Sequence, residues 1–275
     1  MPRRTIRRVR RAPTMFRPII RSRHSTHTNC RGSIPRAPFR YEIAFGSFNA
    51  PARGYMRLNT PEACRNAADK LLMKQCFDRL QVKTAQWHHA SKGDIRLPVV
   101  AKRRVSSRGE GVYLLRTQAD YDEFIRSHQS QLDHYIFEKF RSYRNEYRLH
   151  VTDQGYFYTN RKAMRRATPQ ERRWKFSSDE TVWLLEDNPH FNRPSTWDQI
   201  VEHSVKALQA VGLDTGAVDV KVGRNGHFII LEINSAPAFG DLTAAKYMEV
   251  IPQVAQRKYD ARNQATAGSN PTTTV

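Results

Sequence analysis

The sequence predicts an α+β domain that follows an arginine-rich N-terminal extension. Two observations predict this fold class: segments with the apolar spacing of amphipathic helices alternate with short runs of β-branched and aromatic residues, and positive charge is concentrated near the N-terminus. With 275 residues, 39% of them hydrophobic, the chain can bury one substantial core or two small ones. We therefore expect a basic, partly disordered extension over residues 1–59 and a catalytic domain over residues 60–258. Residues 259–275 are expected to form a disordered polar tail.

The N-terminal extension carries most of the charge. Residues 1–59 contain fourteen arginines, no lysine and a single acid, Glu42, which contributes 14 − 1 = +13 to the formal net charge of +20. Six arginines lie within the first eleven residues, and their mutual repulsion predicts that this run is disordered unless a polyanion binds it. The run contains Arg3, Arg4, Arg7, Arg8, Arg10 and Arg11. Three interpretations stay open: a solvated tail, a surface that binds nucleic acid or an acidic partner through residues 1–40, and an organelle transit peptide.

The composition also limits the compartment. No stretch approaches the roughly 20 consecutive apolar residues that span a bilayer, and the N-terminus lacks the apolar segment of a signal peptide. Three cysteines, Cys30, Cys64 and Cys76, fit neither a disulfide framework nor a zinc site. We therefore expect a cytoplasmic protein with no membrane partner.

The domain that starts at residue 60 begins with a helix and continues with a hairpin. Thr60-Pro61-Glu62 combines a hydroxyl N-cap, proline at the first helical position and an acid in the first turn. Apolar residues then recur every four positions, which predicts a helix of about five turns with Lys70 and Lys74 on its flanking surface. Residues 97–102 and 112–115 read as two strands joined by a loop of serine and glycine.

The remaining elements follow from the same patterns. A helix is expected over residues 117–128, and strands are expected over residues 135–140, 146–152, 155–163, 217–222 and 227–233. Ser195-Thr196 marks the start of a further helix, which Gly212 ends. Asn225-Gly226 is a tight-turn signal between the last two strands, which therefore form a hairpin.

Acidic and amide side chains interrupt this last hairpin. Asp219 lies within one apolar strand, and Glu232 and Asn234 lie two residues apart in its partner, so the pair shares one face. Carboxylates within apolar strands are costly unless something neutralises them, and oxygen donors suit magnesium. The three residues therefore predict a metal–phosphate site, with outward-facing positions on an exposed sheet as the alternative.

The hairpin and its upstream segments resemble the ATP-grasp superfamily from about Asp69 to Gly240. The spacing of Asp219, Glu232 and Asn234 is similar to the metal-binding hairpin of that family. Asp69-Lys70-Leu71 resembles the helix start of D-alanine:D-alanine ligases and ribosomal-protein glutamate ligases. The resemblance implies a fold whose two α+β subdomains, residues 60–140 and 141–258 here, grip ATP, with Mg²⁺ as the metal and Mn²⁺ as a compatible substitute. The chain departs from the family in its N-terminal region: the Rossmann-like domain that normally precedes the grasp is reduced here to residues 1–59, an arginine-rich extension or remnant.

The resemblance further implies a set of ATP-facing residues. Lys70 and Lys102 would face the phosphates, beside a loop that contains the cradle residues Ser106, Ser107, Gly109 and Gly111. Independently of the resemblance, a lysine at the end of a strand followed by such a loop is suited to phosphate, because backbone N–H groups there can surround anionic oxygens.

A segment like the family's interdomain hinge follows. The backbone of Lys139, Phe140 and Arg141 would bind adenine next to Glu138, and Glu146 would accept hydrogen bonds from the ribose hydroxyls. The alternative for the two carboxylates is an ion pair with local arginines such as Arg144.

The chain departs from the family at the position of the arginine that stabilises the transition state of phosphoryl transfer. D-alanine:D-alanine ligases have an arginine two residues before the metal aspartate, where this chain has Ala217. Arg148, Arg165 or Arg166 is a candidate replacement, and Lys162 resembles a further phosphate-facing lysine. Our catalytic candidates are therefore Lys162, Arg148 and Arg165.

The expected activity is ATP- and Mg²⁺-dependent amide formation between a carboxylate and an amine through an acyl phosphate, with an amino acid, peptide or protein as acceptor. One alternative is a basic nucleic-acid-associated protein with a degenerate nucleotide site. Another keeps the fold but forms a phosphate ester or thioester.

Overall fold

The structure is a computed structural model that describes residues 14–89, 96–107 and 109–268. Over these residues the strands are β1 (Ile19–Arg21), β2 (Tyr41–Ala44), β3 (Met56–Leu58), β4 (Trp87–His89), β5 (Val99–Arg103), β6 (Val112–Leu115), β7 (Tyr135–Lys139), β8 (Asn145–Thr152), β9 (Gly155–Met164), β10 (Thr181–Leu185), β11 (Gly216–Val222) and β12 (Phe228–Asn234). The helices are α1 (Ser25–Asn29), α2 (Pro61–Ala68), α3 (Lys70–Arg79), α4 (Gln118–His128), α5 (Trp197–Val211) and α6 (Asp241–Gly268). The α+β class expected from the sequence is confirmed.

The part of the N-terminal extension that the structure describes is folded. Strands β1, β2 and β3 form a parallel sheet in that order, and their apolar residues share one core with α6. Glu42 is fully buried in β2 and accepts from Arg21 at 3.0 Å and from Arg57 at 2.5 Å. Two arginines of the segment are thus neutralised internally. Residues 1–13, where six of the arginines lie, are outside the described residues.

The first subdomain contains a four-stranded antiparallel sheet in the order β4-β7-β5-β6. Helix α4 packs its Phe124 into a core that includes Val99 and Phe137. Its start is fixed by a reciprocal capping box, in which Thr117 and Asp120 each accept a backbone N–H from the other's position. The expected hairpin of β5 and β6 is therefore held at one edge of this sheet.

The second subdomain contains a five-stranded antiparallel sheet in the order β10-β9-β8-β11-β12. Helix α5 and the helices α2 and α3 cover one face of it and build the largest core of the described residues. Gly212 ends α5 with φ +80°, the left-handed conformation that glycine adopts without strain. The opposite face carries the predicted site residues.

The single helix predicted after Thr60 is wrong: the structure has two. Thr60 caps α2 by accepting from the Ala63 N–H at 3.2 Å, as expected. Asp69, however, is extended and caps α3 by accepting from Leu71 at 2.9 Å. Arg104 binds the same carboxylate at 2.6 Å, so a tertiary contact stabilises the break.

The C-terminal helix is longer than the sequence suggests. The sequence predicted a disordered tail from residue 259, but α6 continues to Gly268, and residues 269–275 lie outside the described residues. Apolar residues of α6 pack onto the N-terminal sheet, which gives the helix a buried face. In the parts of the chain that the structure describes, no helix has the length and apolar character that crossing a membrane requires.

Candidate active site

Charged side chains from the two larger sheets converge where the sheets meet, a region called the junction below. Helix α3 and strands β5 and β7 contribute from the first subdomain, and strands β8, β9, β11 and β12 contribute from the second. Hydrogen bonds hold the two sides together: Lys74 Nζ donates to the Leu231 carbonyl at 3.2 Å, and the Ile230 N–H donates to the Lys83 carbonyl at 2.7 Å. Lys70 and Lys74 of α3 interact electrostatically with Glu232 of the second sheet.

The predicted metal-binding residues lie together. Asp219 and Glu232 are directly opposite each other on β11 and β12, and directly opposite residues of an antiparallel pair share one face. Asn234 Nδ2 donates to Glu232 Oε1 at 3.3 Å. The structure thus brings together all three residues that the sequence singled out.

Arg148 on β8 is the direct partner of Asp219. Its Nε and Nη2 donate to the two carboxylate oxygens at 2.7 Å each, a bidentate arrangement. Burial alone would raise the pKa of Asp219, but the adjacent guanidinium lowers it, so the carboxylate is charged. Arg165 and Arg166, the other candidates, lie exposed beyond the end of β9 and make no described side-chain contact with these carboxylates.

The donor set can be compared with what a metal requires. No group of three or more His, Cys, Asp or Glu side chains with metal-binding geometry occurs in the described residues. The set here consists instead of two carboxylates and one amide oxygen, which suits a hard cation such as Mg²⁺ that keeps water and phosphate ligands. Asp219 and Glu232 lie directly opposite each other, and Arg148 compensates one of their two negative charges from the strand on the other side of Asp219. The remaining negative charge and the amide oxygen fit a divalent cation.

Glu138 has a different role from the predicted one. Its carboxylate is buried between two ammonium groups, with Lys102 Nζ at 2.6 Å and Lys74 Nζ at 3.1 Å. Burial raises the pKa of the Glu138 carboxyl, but the two lysines outweigh it and hold the pKa at about 2. An ion pair was the alternative for this residue, although its partners are lysines and not arginines. The expectation that Lys70 and Lys74 lie on flanking surface is wrong, because both are buried, Lys74 completely.

The glycine-rich loop is tied to α3. Lys70 Nζ donates to both the carbonyl and the hydroxyl of Ser106 at 3.2 Å, and the Glu110 N–H donates to the Ser107 carbonyl at 3.0 Å. Gly111 has φ +61°, and a Cβ there would lie 2.7 Å from Cβ of Arg103. The loop requires glycine at this position. Gly109 also has positive φ, at +73°, while Arg108 lies outside the described residues.

The hinge offers fewer free backbone groups than predicted. The N–H groups of Lys139 and Phe140 donate to the carbonyls of Gln86 and Pro98 at 2.8 and 3.0 Å. Within the described chain no protein acceptor pairs with the N–H of Arg141, so this donor is the one available to a ligand. Phe140 is half-buried and lies edge-on to Trp174, with ring centroids 6.2 Å apart.

Glu146 pairs with two lysines, and not with Arg144. Lys162 Nζ lies 2.5 Å from Oε1, and Lys221 Nζ lies 4.0 Å from Oε2. Lys221 also donates to the Trp174 carbonyl at 2.9 Å. Burial lowers the pKa of Lys221, and although Glu146 opposes this effect, nearby lysines reinforce it, leaving a pKa of about 8.

The sequence did not lead us to two side chains of the junction, Lys221 and Trp183. Lys221 follows Asp219 by two residues, so the strand period places both on one face and could have identified Lys221. Trp183 on β10 lies opposite Lys162, and the cations of Arg148 and Lys162 each lie 5.1 Å from its ring centre. No motif of the sequence marked Trp183.

Comparison with known proteins shows similarity only at the level of structure. No family model matches the sequence, and no curated protein sequence matches it. The structure is similar to D-alanine–D-alanine ligase from Bacillus anthracis complexed with ATP, with 13% identity, a TM-score of 0.59, and coverage of 82% of this chain and 81% of that chain. It is also similar to biotin carboxylase from Campylobacter jejuni in a nucleotide complex, with 15% identity, a TM-score of 0.59, and coverage of 76% and 53%.

A third similar structure is N5-carboxyaminoimidazole synthetase from Staphylococcus aureus complexed with ADP, with 16% identity and a TM-score of 0.55. The match covers 72% of this chain and 54% of that chain, so this chain spans about half the length of that enzyme. At these identities the similarity is evidence about the fold alone.

Proposed function

Because the chain has the ATP-grasp fold, we propose that it is an ATP- and Mg²⁺-dependent carboxylate–amine ligase that forms an amide through an acyl phosphate. The similar structures named above include an ATP complex and an ADP complex of ligases. Fold alone does not determine activity, so the proposal rests on the side chains at the junction.

The observation that carries the proposal is an excess of buried positive charge. Six cations and four carboxylates meet at the junction, a difference of 6 − 4 = +2. They are Lys70, Lys74, Lys102, Lys162, Lys221 and Arg148, with Glu138, Glu146, Asp219 and Glu232. Gathering cations away from water is costly without a compensating anion. A nucleoside triphosphate is such an anion.

The contacts support one orientation of the nucleotide. Lys102 and the loop around Gly109 and Gly111 are suited to the phosphates, because Lys70 Nζ contacts Ser106 at the start of the same loop and adds a second cation beside it. The Arg141 N–H at the hinge is suited to adenine, and the Glu146 carboxylate is suited to the ribose diol.

The reaction we propose has two steps. An oxygen of the substrate carboxylate attacks the γ-phosphorus and ADP leaves, which gives an acyl phosphate. The amine nitrogen then attacks the acyl carbon, releases phosphate and loses a proton. Lys102, Lys162 and Lys221 neutralise phosphate oxygens as charge shifts during transfer.

Arg148 is the candidate for the cation that the family places two residues before the metal aspartate. It reaches Asp219 from the neighbouring strand and carries its charge to the same face. Mg²⁺ held by Asp219, Glu232 and Asn234 would supply further electrostatic stabilisation of the β- and γ-phosphates. The acceptor class that we propose is an amino acid, peptide or protein. The compartment that we propose is the reducing cytoplasm, because the cysteines Cys30, Cys64 and Cys76 are free.

The test is the formation of a product. Purified protein is incubated with ATP, Mg²⁺ and pools of amino acids and peptides; ADP is quantified, and products are identified by mass spectrometry. The proposal predicts one ADP for each amide formed, with loss of both in Glu232→Gln and retention in Glu249→Gln, an exposed glutamate of α6. Undiminished Mg²⁺-dependent ATP turnover in Glu232→Gln would exclude the proposed metal site.

A further inference from the structure

A cluster of arginines lines a cleft on the face of the five-stranded sheet that is opposite to the junction. The cleft, called the arginine cleft, has a volume of about 620 Å³ and lies between the β11–β12 turn, the loop before α5 and the start of β8. Four arginines line it: Arg144, Arg161, Arg193 and Arg224. The volume lies within the range of small-molecule sites, about 300–1,000 Å³.

The sheet separates this cleft from the junction. Arg161 and Lys162 are neighbours on β9, and Tyr147 and Glu146 are neighbours on β8. Successive side chains of a strand point to opposite faces, so Lys162 and Glu146 face the junction while Arg161 and Tyr147 face the arginine cleft. The two sites are therefore distinct.

The charge of the arginine cleft is largely uncompensated. No acidic residue lines it, and Glu186, which pairs with Arg193, is the one acid bound to its arginines within the described chain. The balance is 4 − 1 = +3. Arg144 and Arg224 are exposed and have no side-chain partner among the described residues.

The guanidinium of Arg161 is only partly hydrogen-bonded within the described chain. Its Nη1 donates to the Phe191 carbonyl at 3.2 Å, but its Nε is buried without a hydrogen-bond partner in the described chain. A buried charged donor without an acceptor is costly, and such donors are normally satisfied. Arg161 also lines the cleft, so an oxyanion bound there would offset the cost of this buried charge.

The walls of the cleft are held in place without a ligand. Thr196 Oγ1 donates to the Gly226 carbonyl at 2.7 Å, which joins the β11–β12 turn to the start of α5. Gly226 has φ +73°, and a Cβ there would lie 3.2 Å from Ser195 Oγ. The Tyr147 hydroxyl donates to the Asn192 carbonyl on the opposite wall. Such contacts order the walls before a ligand binds, so they reduce the entropic cost of binding.

We propose that the arginine cleft binds a phosphate-bearing anion at a site separate from the junction. Guanidinium groups match phosphate oxygens in pairs, and an uncompensated charge of three suits a multiply charged phosphate better than a single carboxylate. The phosphate can belong to a free pyrophosphate-like group or to a nucleic-acid backbone, and the experiment separates these two sources.

The experiment measures binding of inorganic pyrophosphate by calorimetry and of a short single-stranded RNA by fluorescence anisotropy. The full chain is compared with Arg144→Ala/Arg224→Ala, in which both arginines are exposed and outside the proposed catalytic residues. The matched control is Arg262→Ala, which removes an exposed arginine of α6 that does not line the cleft. A further titration uses Lys102→Met, which removes a cation of the junction and leaves the cleft intact.

Because pyrophosphate also binds the phosphate-facing lysines proposed at the junction, the comparison is made in the Lys102→Met background. There the proposal predicts that adding Arg144→Ala/Arg224→Ala weakens pyrophosphate binding at least about ten-fold and that adding Arg262→Ala does not. It also predicts that binding at the cleft persists in Lys102→Met. If RNA binding alone weakens by this factor, the phosphate source is a nucleic-acid backbone. Equal weakening in Arg262→Ala, or unchanged binding of both probes in the double variant, would overturn the proposal.

Discussion

Arg148 binds both carboxylate oxygens of Asp219 across strands β8 and β11, with two hydrogen bonds of 2.7 Å. The pair is largely buried, with side-chain exposures of 18% and 5%. Glu232 lies directly opposite Asp219 on the other side, so the guanidinium compensates one of two adjacent negative charges. This arrangement links the stability of the second subdomain to whatever cation occupies the site.

Arg148→Met is therefore expected to lower the free energy of unfolding by about 3–5 kcal/mol in the absence of Mg²⁺, because it leaves a buried carboxylate unpaired. Added Mg²⁺ should raise the melting temperature of this variant more than that of the wild type. Arg257→Met, which breaks an exposed pair with Asp153, is the control and should cost at most about 1 kcal/mol. Equal Mg²⁺ shifts in the variant and the wild type would show that the metal does not reach Asp219.

Glu138→Gln should destabilise the protein through two lysines at once. The substitution removes the negative charge between Lys74 and Lys102, and breaking a buried pair costs about 3–5 kcal/mol. The triphosphate of ATP can replace part of the lost charge, so saturating ATP should raise the melting temperature of the variant more than that of the wild type. The control is Glu123→Gln on the exposed surface of α4. A larger ATP shift in the wild type would contradict the role of Glu138 in holding the phosphate-facing lysines.

The pKa of Lys221, about 8 in the free protein, predicts proton uptake when ATP binds. A bound triphosphate stabilises the ammonium form, so the pKa rises and protons are taken up near pH 8, with little uptake at pH 6.5, where the group is already charged. ATP affinity should accordingly fall between pH 7 and pH 9. Calorimetry in two buffers of different ionisation enthalpy measures the uptake.

Lys221→Met should remove most of the proton uptake, while Lys206→Met, an exposed lysine of α5, should leave it unchanged. Uptake of the same size in Lys221→Met would assign the proton to another group.

Trp183 should report nucleotide binding by fluorescence. Its indole is 41% exposed and lies beneath the cations of Arg148 and Lys162, which a triphosphate would draw towards itself. We expect ATP to change the emission of the wild type and of Trp87→Phe. Trp174 lies beside Phe140 at the hinge and can report the nucleotide as well, so the change should be reduced in Trp183→Phe and largely lost in Trp174→Phe/Trp183→Phe. A signal of full size in the double variant would place the nucleotide elsewhere.

Local signals explain which parts of the fold could be predicted. The helix start at Thr60 and the hairpin turn at Asn225-Gly226 depend on neighbours in sequence, and both occur as expected. The break at Asp69 depends on Arg104, 35 residues away, so the helical spacing around it gave no warning. Strands β1 and β3 have three residues each, too few for a strand period to be recognised.

The same distinction applies to the candidate site. The three predicted metal-binding residues lie on one hairpin, where the strand period alone fixes the face of Glu232 and Asn234. The pairing of Arg148 with Asp219 spans 71 residues and depends on the register of β8 against β11. The lysine partners of Glu138 come from α3 and β5, and their convergence follows from the packing of the first subdomain, which no local pattern encodes.

The most direct test of ATP binding at the junction is calorimetry of ATP and of adenosine with the wild type and Lys102→Met. Loss of a charge-assisted contact to phosphate costs about 1.5–3 kcal/mol, so ATP should bind about ten- to a hundred-fold more weakly to the variant. Adenosine, which has no phosphate, should bind almost equally to both proteins. Equal losses for the two ligands would indicate damage to the fold, and unchanged ATP affinity would contradict phosphate binding by Lys102 and the glycine-rich loop.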